Sequence, residues 1–73
     1  MKRYIKELVA DVRREINEEI KKGRIPADEL EYLEKWHGWF EKDCENGLFT
    51  DRDAVSAILV TWDKLKDLQW IYS

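Results

Sequence analysis

The chain has 73 residues, 40% charged and 44% apolar, a balance that fits one folded domain and excludes a two-domain enzyme. Thirteen Lys and Arg against sixteen Asp and Glu give a net charge of −3. That is too mild for a nucleic-acid mimic and the wrong sign for a wholly basic nucleic-acid binder. The longest near-apolar run, Ala54 to Val60, falls far short of the roughly 18 residues of a membrane span. The opening Met1-Lys2-Arg3-Tyr4 begins a charged amphipathic segment rather than a signal peptide. One cysteine forms no internal disulfide, so a cytoplasmic setting is expected.

The first segment, about residues 2–22, places Tyr4, Ile5, Leu8, Val9, Val12, Ile16 and Ile20 at three- and four-residue steps, the spacing of one helix face. Lys21 and Lys22 suit the negative end of that helix, and Gly23 supplies the left-handed residue that ends it. Pro26 has its dihedral set for a first helical position, with Asp28 and Glu29 in the positive first turn of a second helix over 27–45. That helix carries a narrow 3-4-3-4 seam of Leu30, Leu33, His37, Phe40 and Cys44. Asn46-Gly47 breaks the chain again. Thr50 and Asp53 form an approximate capping box for a third helix over 51–70, with Ala54, Val55, Ile58, Leu59, Trp62, Leu65 and Leu68 on its stripe. Strand signals are weak. The fold expected is an all-α, up-down-up three-helix bundle in one domain over 1–73.

Charge is distributed unevenly. Residues 1–24 carry net +3, residues 25–46 net −5 and residues 47–73 net −1. A basic first helix beside an acidic second one favours their antiparallel pairing, although exposed pairs contribute only about 0–1 kcal/mol each. A chain this short buries roughly 60% of its unfolded surface, so large aromatics or a partner subunit must supplement the core.

Nine aromatics, four of them Trp, are many for this length. Tyr32, Trp36 and Trp39 form a second stripe on helix two, about a quarter-turn from the Leu30-Leu33-Phe40 seam, with Glu29 and Asp43 at its ends. Two readings stand: a wide core face, or a protein-binding patch that prefers a basic partner. The tail Leu68 to Ser73 is the second candidate. Trp70 and Tyr72 either close the bundle end against the loop at Ile25 or, with Ile71 and Val60, offer a surface for a homodimer or larger complex. Gly38, flanked by Trp36 and Trp39, permits a close helix approach or a slight kink.

Chemistry finds little support. His37 and Cys44 lie with Glu34 and Glu41 on one broad face, but structural zinc sites rely on repeated Cys and His, and one of each is present. The two stand about 10 Å apart along a helix, beyond hydrogen-bond reach, and read as a hydrogen-bonded core histidine and a small buried thiol. A calcium loop centred on Gly47 would put Lys42 in the first ligand position, which calcium does not accept. No cofactor, metal, catalytic residue or small-molecule substrate is expected.

The basic residues of helix one are interspersed with Glu7, Asp11, Glu15, Glu18 and Glu19, which breaks up a phosphate-tracking face. No family motif is present; size and acidity alone are shared with small accessory proteins of phages and plasmids. The irregular Trp36-His37-Gly38-Trp39 run is unlike idealised design, whereas the clean first helix leaves a designed origin open. The function expected is a non-enzymatic protein–protein interaction module, possible as a homodimer. Its binding residues are Tyr32, Trp36, Trp39, Asp43, Val60, Trp70, Ile71 and Tyr72. The alternative is a nucleic-acid-associated regulator using helix one.

Overall fold

The computed structural model describes residues 1–73 as three helices: α1 (Arg3–Lys22), α2 (Ala27–Glu45) and α3 (Asp51–Ile71). Each boundary has a local cause. Gly23 adopts φ 70° and donates its N–H to the Glu19 carbonyl, an αL termination of α1. At the end of α2, Gly47 has φ 71°; its N–H bonds the Cys44 carbonyl and that of Leu48 bonds the Asp43 carbonyl, the paired bonds of a Schellman motif. The Thr50 hydroxyl accepts the Asp53 N–H at 3.2 Å, the N-cap half of the expected capping box; the Asp53 carboxylate does not bond back to the Thr50 N–H. Pro26 stands one residue earlier than expected. It precedes the helix at the N-cap with ψ 137°, and its carbonyl accepts the Leu30 N–H that opens α2.

The short Gly23–Pro26 connection makes α1 and α2 antiparallel neighbours. Two side-chain contacts show that α3 runs parallel to α1: Lys66 meets Glu15 at 3.5 Å, and one turn further Gln69 meets Glu19 at 2.8 Å. The result is the up-down-up bundle, with all three helix pairs in contact and dimensions of 34 × 17 × 15 Å.

Eleven apolar residues form the core: Ile5, Val12 and Ile16 from α1, Ile25 from the loop, Leu30, Leu33 and Phe40 from α2, and Ala54, Ile58, Leu65 and Leu68 from α3. Phe49 seats against Phe40 edge-on, with ring centroids 5.1 Å apart. The core is narrower than the sequence stripes. Tyr4, Leu8, Ile20 and Leu59 remain exposed, because each lies at the margin of its stripe, beyond the arc its neighbours cover. Trp62 is half-buried rather than central; the Lys66 ammonium lies 4.5 Å from its ring centroid. The accessible surface, 5211 Å², exceeds the roughly 4,800 Å² expected for a monomer of this mass.

Gly38 does not mark a close backbone approach. A Cβ there would meet only the Arg13 guanidinium, at an ordinary 3.7 Å.

One buried and one half-buried polar contact tie the elements together. The Glu19 carboxylate receives both Arg24 guanidinium bonds at 3.0 Å and the Gln69 amide at 2.8 Å, joining α1, the first turn and α3. These donors, Arg24 first, hold the Glu19 carboxyl below its ordinary range against the opposing effect of burial. Between α1 and α2, Arg13 grips Glu41 at 2.7 Å, realising the charge pairing read from the segment balances.

The division between core and margin has a direct check. In urea unfolding, Leu65→Ala should lower stability by about 2–5 kcal/mol. Leu59→Ala should change it by less than about 0.5 kcal/mol. Equal losses at both positions would contradict the core assignment.

Candidate functional site

α2 meets α3 along the sparsest of the three helix seams, and a groove of about 710 Å³ lies over it. Asp28, Glu29, Tyr32 and Trp36 form its α2 wall, Val60 and Lys64 its α3 wall, and Leu33 and Thr61 its floor. Beyond Trp36 the surface continues into a smaller recess lined by Trp39, Phe40, Lys42, Asp43 and Phe49. Helix geometry explains this line: residues 29, 32, 36, 39 and 43 recur at three- and four-residue steps, about a quarter-turn from the buried seam. Their side chains therefore edge the seam instead of filling it. Tyr32 is 68% exposed, Trp36 43%, Trp39 64% and Val60 63%.

The structure thus brings together five of the eight binding residues expected from sequence: Tyr32, Trp36, Trp39, Asp43 and Val60. The C-terminal residues separate from one another. Tyr72 turns toward a recess with Ile20, Ile25, Pro26 and Leu30, as the bundle-closing reading requires. Trp70 does not join it and is 81% exposed. Two residues apart on a helix lie about 200° apart around the axis, so both cannot reach the same loop. Ile71 is exposed eleven residues after Val60, which places it on the same side of α3 and continues the line of the groove wall.

His37 lies fully buried between α1 and α2, with Nε2 2.9 Å from the Val9 carbonyl oxygen. That contact places the proton on Nε2, which donates to the carbonyl. Nδ1 is buried with no hydrogen-bond partner, so a second proton would have no acceptor there. Burial pushes the His37 pKa below its ordinary 6.5, opposed by the Val9 bond and by Glu41 at 3.6 Å, and reinforced by Arg13. Cys44 is half-buried; burial first, then Asp43 and Glu41, raise its thiol pKa, which disfavours the nucleophilic thiolate. No three His, Cys, Asp or Glu side chains are grouped to hold a metal ion, and no helix is long and apolar enough to cross a membrane.

The cations of residues 1–24 are largely engaged at home. Arg3 pairs with Glu7, Arg13 with Glu41, Arg14 with Asp11, and Lys22 and Arg24 with Glu19. Sequence reasoning missed the Glu19 and Arg13–Glu41 networks. A signal for the first was present: Glu19 follows Val12 and Ile16 in the phase of the buried face.

No protein family, curated protein or solved structure matches this chain.

His37 is the only histidine, so stability between pH 7.5 and pH 5 reports on it. The unfolded chain takes up a proton below about 6.5, whereas the folded chain resists until pH reaches the lower native value; stability is therefore complete above 6.5 and falls on acidification. Urea midpoints should drop from pH 7.5 to pH 5 in the wild type and stay level in His37→Leu. A wild-type midpoint that rises at pH 5 would contradict the neutral buried imidazole.

Proposed function

We propose that the protein is a non-enzymatic interaction module that binds another protein along the α2–α3 groove, acting as an adaptor, inhibitor or regulator. The observation that carries this reading is the convergence of Tyr32, Trp36, Trp39 and Val60, all exposed, along one side of a helix pair. Large apolar and aromatic side chains left in water cost free energy that burial against a partner recovers. Trp and Tyr are also the residues that most often anchor protein interfaces, because each combines a large apolar body with a polar tip. The groove is open to solvent rather than an enclosed cavity, which suits a protein surface better than a small molecule held on all sides.

The chemistry of the remaining candidates supports the non-enzymatic part. The imidazole is committed to Val9, the thiol is held protonated, and neither faces a cleft with the other. A nucleic-acid regulator working through residues 1–24 draws less support, since most of its cations already answer carboxylates.

Site-specific photo-crosslinking tests the reading. With a benzoylphenylalanine in place of Tyr32 or Trp39, irradiation in the producing cell should give one discrete protein adduct. The same group in place of Glu18, exposed on α1, should give none. Absence of an adduct at both groove positions, or an identical adduct from position 18, would contradict it.

A further inference from the structure

The charges around the groove define the chemistry of its occupant; this inference rests on the protein-binding reading above. Asp28 and Glu29 stand at one end of the aromatic line and Asp43 at the other. On α3, Asp53 and Asp67 are exposed seven residues before and after Val60, on the same side of the helix. Against these five carboxylates the same surface sets Lys64 and Lys42. The centre is apolar and the ends are acidic.

We propose that the occupant is an amphipathic helix of another protein, with large apolar side chains on one face and Lys or Arg at both ends of that face. Backbone chemistry selects a helix. Both walls of the groove are α-helices whose amides are already bonded within themselves, so an extended peptide would find no ladder partners for its own N–H and C=O groups. A helix satisfies its backbone internally and presents only side chains. Its length follows from the groove: Glu29 to Asp43 is fourteen residues, about 21 Å, or about four helical turns. Laid along the α2–α3 seam, it completes a four-helix arrangement.

A second copy of this chain fits the charge pattern poorly. Two such faces packed antiparallel set Asp28 and Glu29 of one against Asp43 of the other; packed parallel, they set each carboxylate near its own mate. Lys42 at the Asp43 end and Lys64 at the Asp28 end offset this only in part, two lysines against five carboxylates on each copy. Either orientation brings like charges together at an interface, where opposite charge is what favours association.

A displayed library of sixteen-residue helices, with apolar residues fixed on one face and its flanking positions randomised, tests this on the full-length protein. Selection should enrich Lys and Arg at both flanks. The selected helices should lose binding to Tyr32→Ser with Trp39→Ser, and should weaken at least about tenfold toward Asp28→Asn, Glu29→Gln, Asp43→Asn. Enriched helices with neutral or acidic flanks that still need Tyr32 and Trp39 would overturn the charge inference and leave the groove reading intact. Helices that bind the Tyr32 and Trp39 variant equally well, or no selectable helix at all, would overturn both. Light scattering supplies the remaining arm: a dimer that Trp39→Ser converts to monomer would make the occupant a second copy and contradict the proposal.

Discussion

Each helix in a three-helix bundle meets its two neighbours across a limited arc of its circumference, and that arc sets how many apolar side chains the fold can use. Here the arc takes eleven core residues. The chain supplies more apolar bulk than that, and the remainder stays at the surface, part of it dispersed over Tyr4, Leu8, Ile20, Leu59 and Trp70. On α2 it forms the Tyr32-Trp36-Trp39 line, which edges the seam with α3. Val60 faces it across the groove. The same geometric limit therefore produces both the core and the candidate site.

Polar groups join the elements beside the apolar core. Glu19 gathers Arg24 and Gln69 at the end of the bundle where the first turn meets α3, and Arg13 with Glu41 spans α1 and α2 beside His37. A lone buried carboxylate at Glu19 would be costly, but it is hydrogen-bonded, and removal of Arg24 would strand it. The arrangement also reduces the free positive charge of a segment of net +3. Five of its eight cations meet carboxylates, Arg13 across to α2 and Arg24 from the loop to α1, while Asp28, Glu29 and Asp43 around the groove have no ion pair.

The fold was legible because helical spacing assigns each residue an angle, and Gly23, Gly47 and Thr50 mark the ends by conformations or caps that few other residues provide. The candidate line on α2 was legible for the same reason: its phase differs from that of Leu33 and Phe40. Whether such a line is core or surface was not legible, since an angle says nothing about where the neighbouring helix stops. Tyr4, Leu8, Ile20 and Leu59 show the same limit from the other side: they fall at the margins of the sequence stripes, and the neighbouring helices stop short of them. Trp70 and Tyr72 were separable in principle, because their angular difference already forbids a shared contact. Glu19 was harder, since a carboxylate in core phase becomes intelligible only with Arg24 and Gln69 beside it, and Gln69 is fifty residues away.

The free chain leaves its α2 aromatics in water while its core is complete. Hydroxyl-radical footprinting of the isolated protein, read by mass spectrometry at each tryptophan, tests this most directly. Trp70 and Trp39 should be oxidised fastest, Trp36 more slowly, and the partly covered Trp62 slowest of the four. Protection of Trp36 and Trp39 to the level of Trp62 in a monomeric sample would contradict it, and would return the stripe to the core.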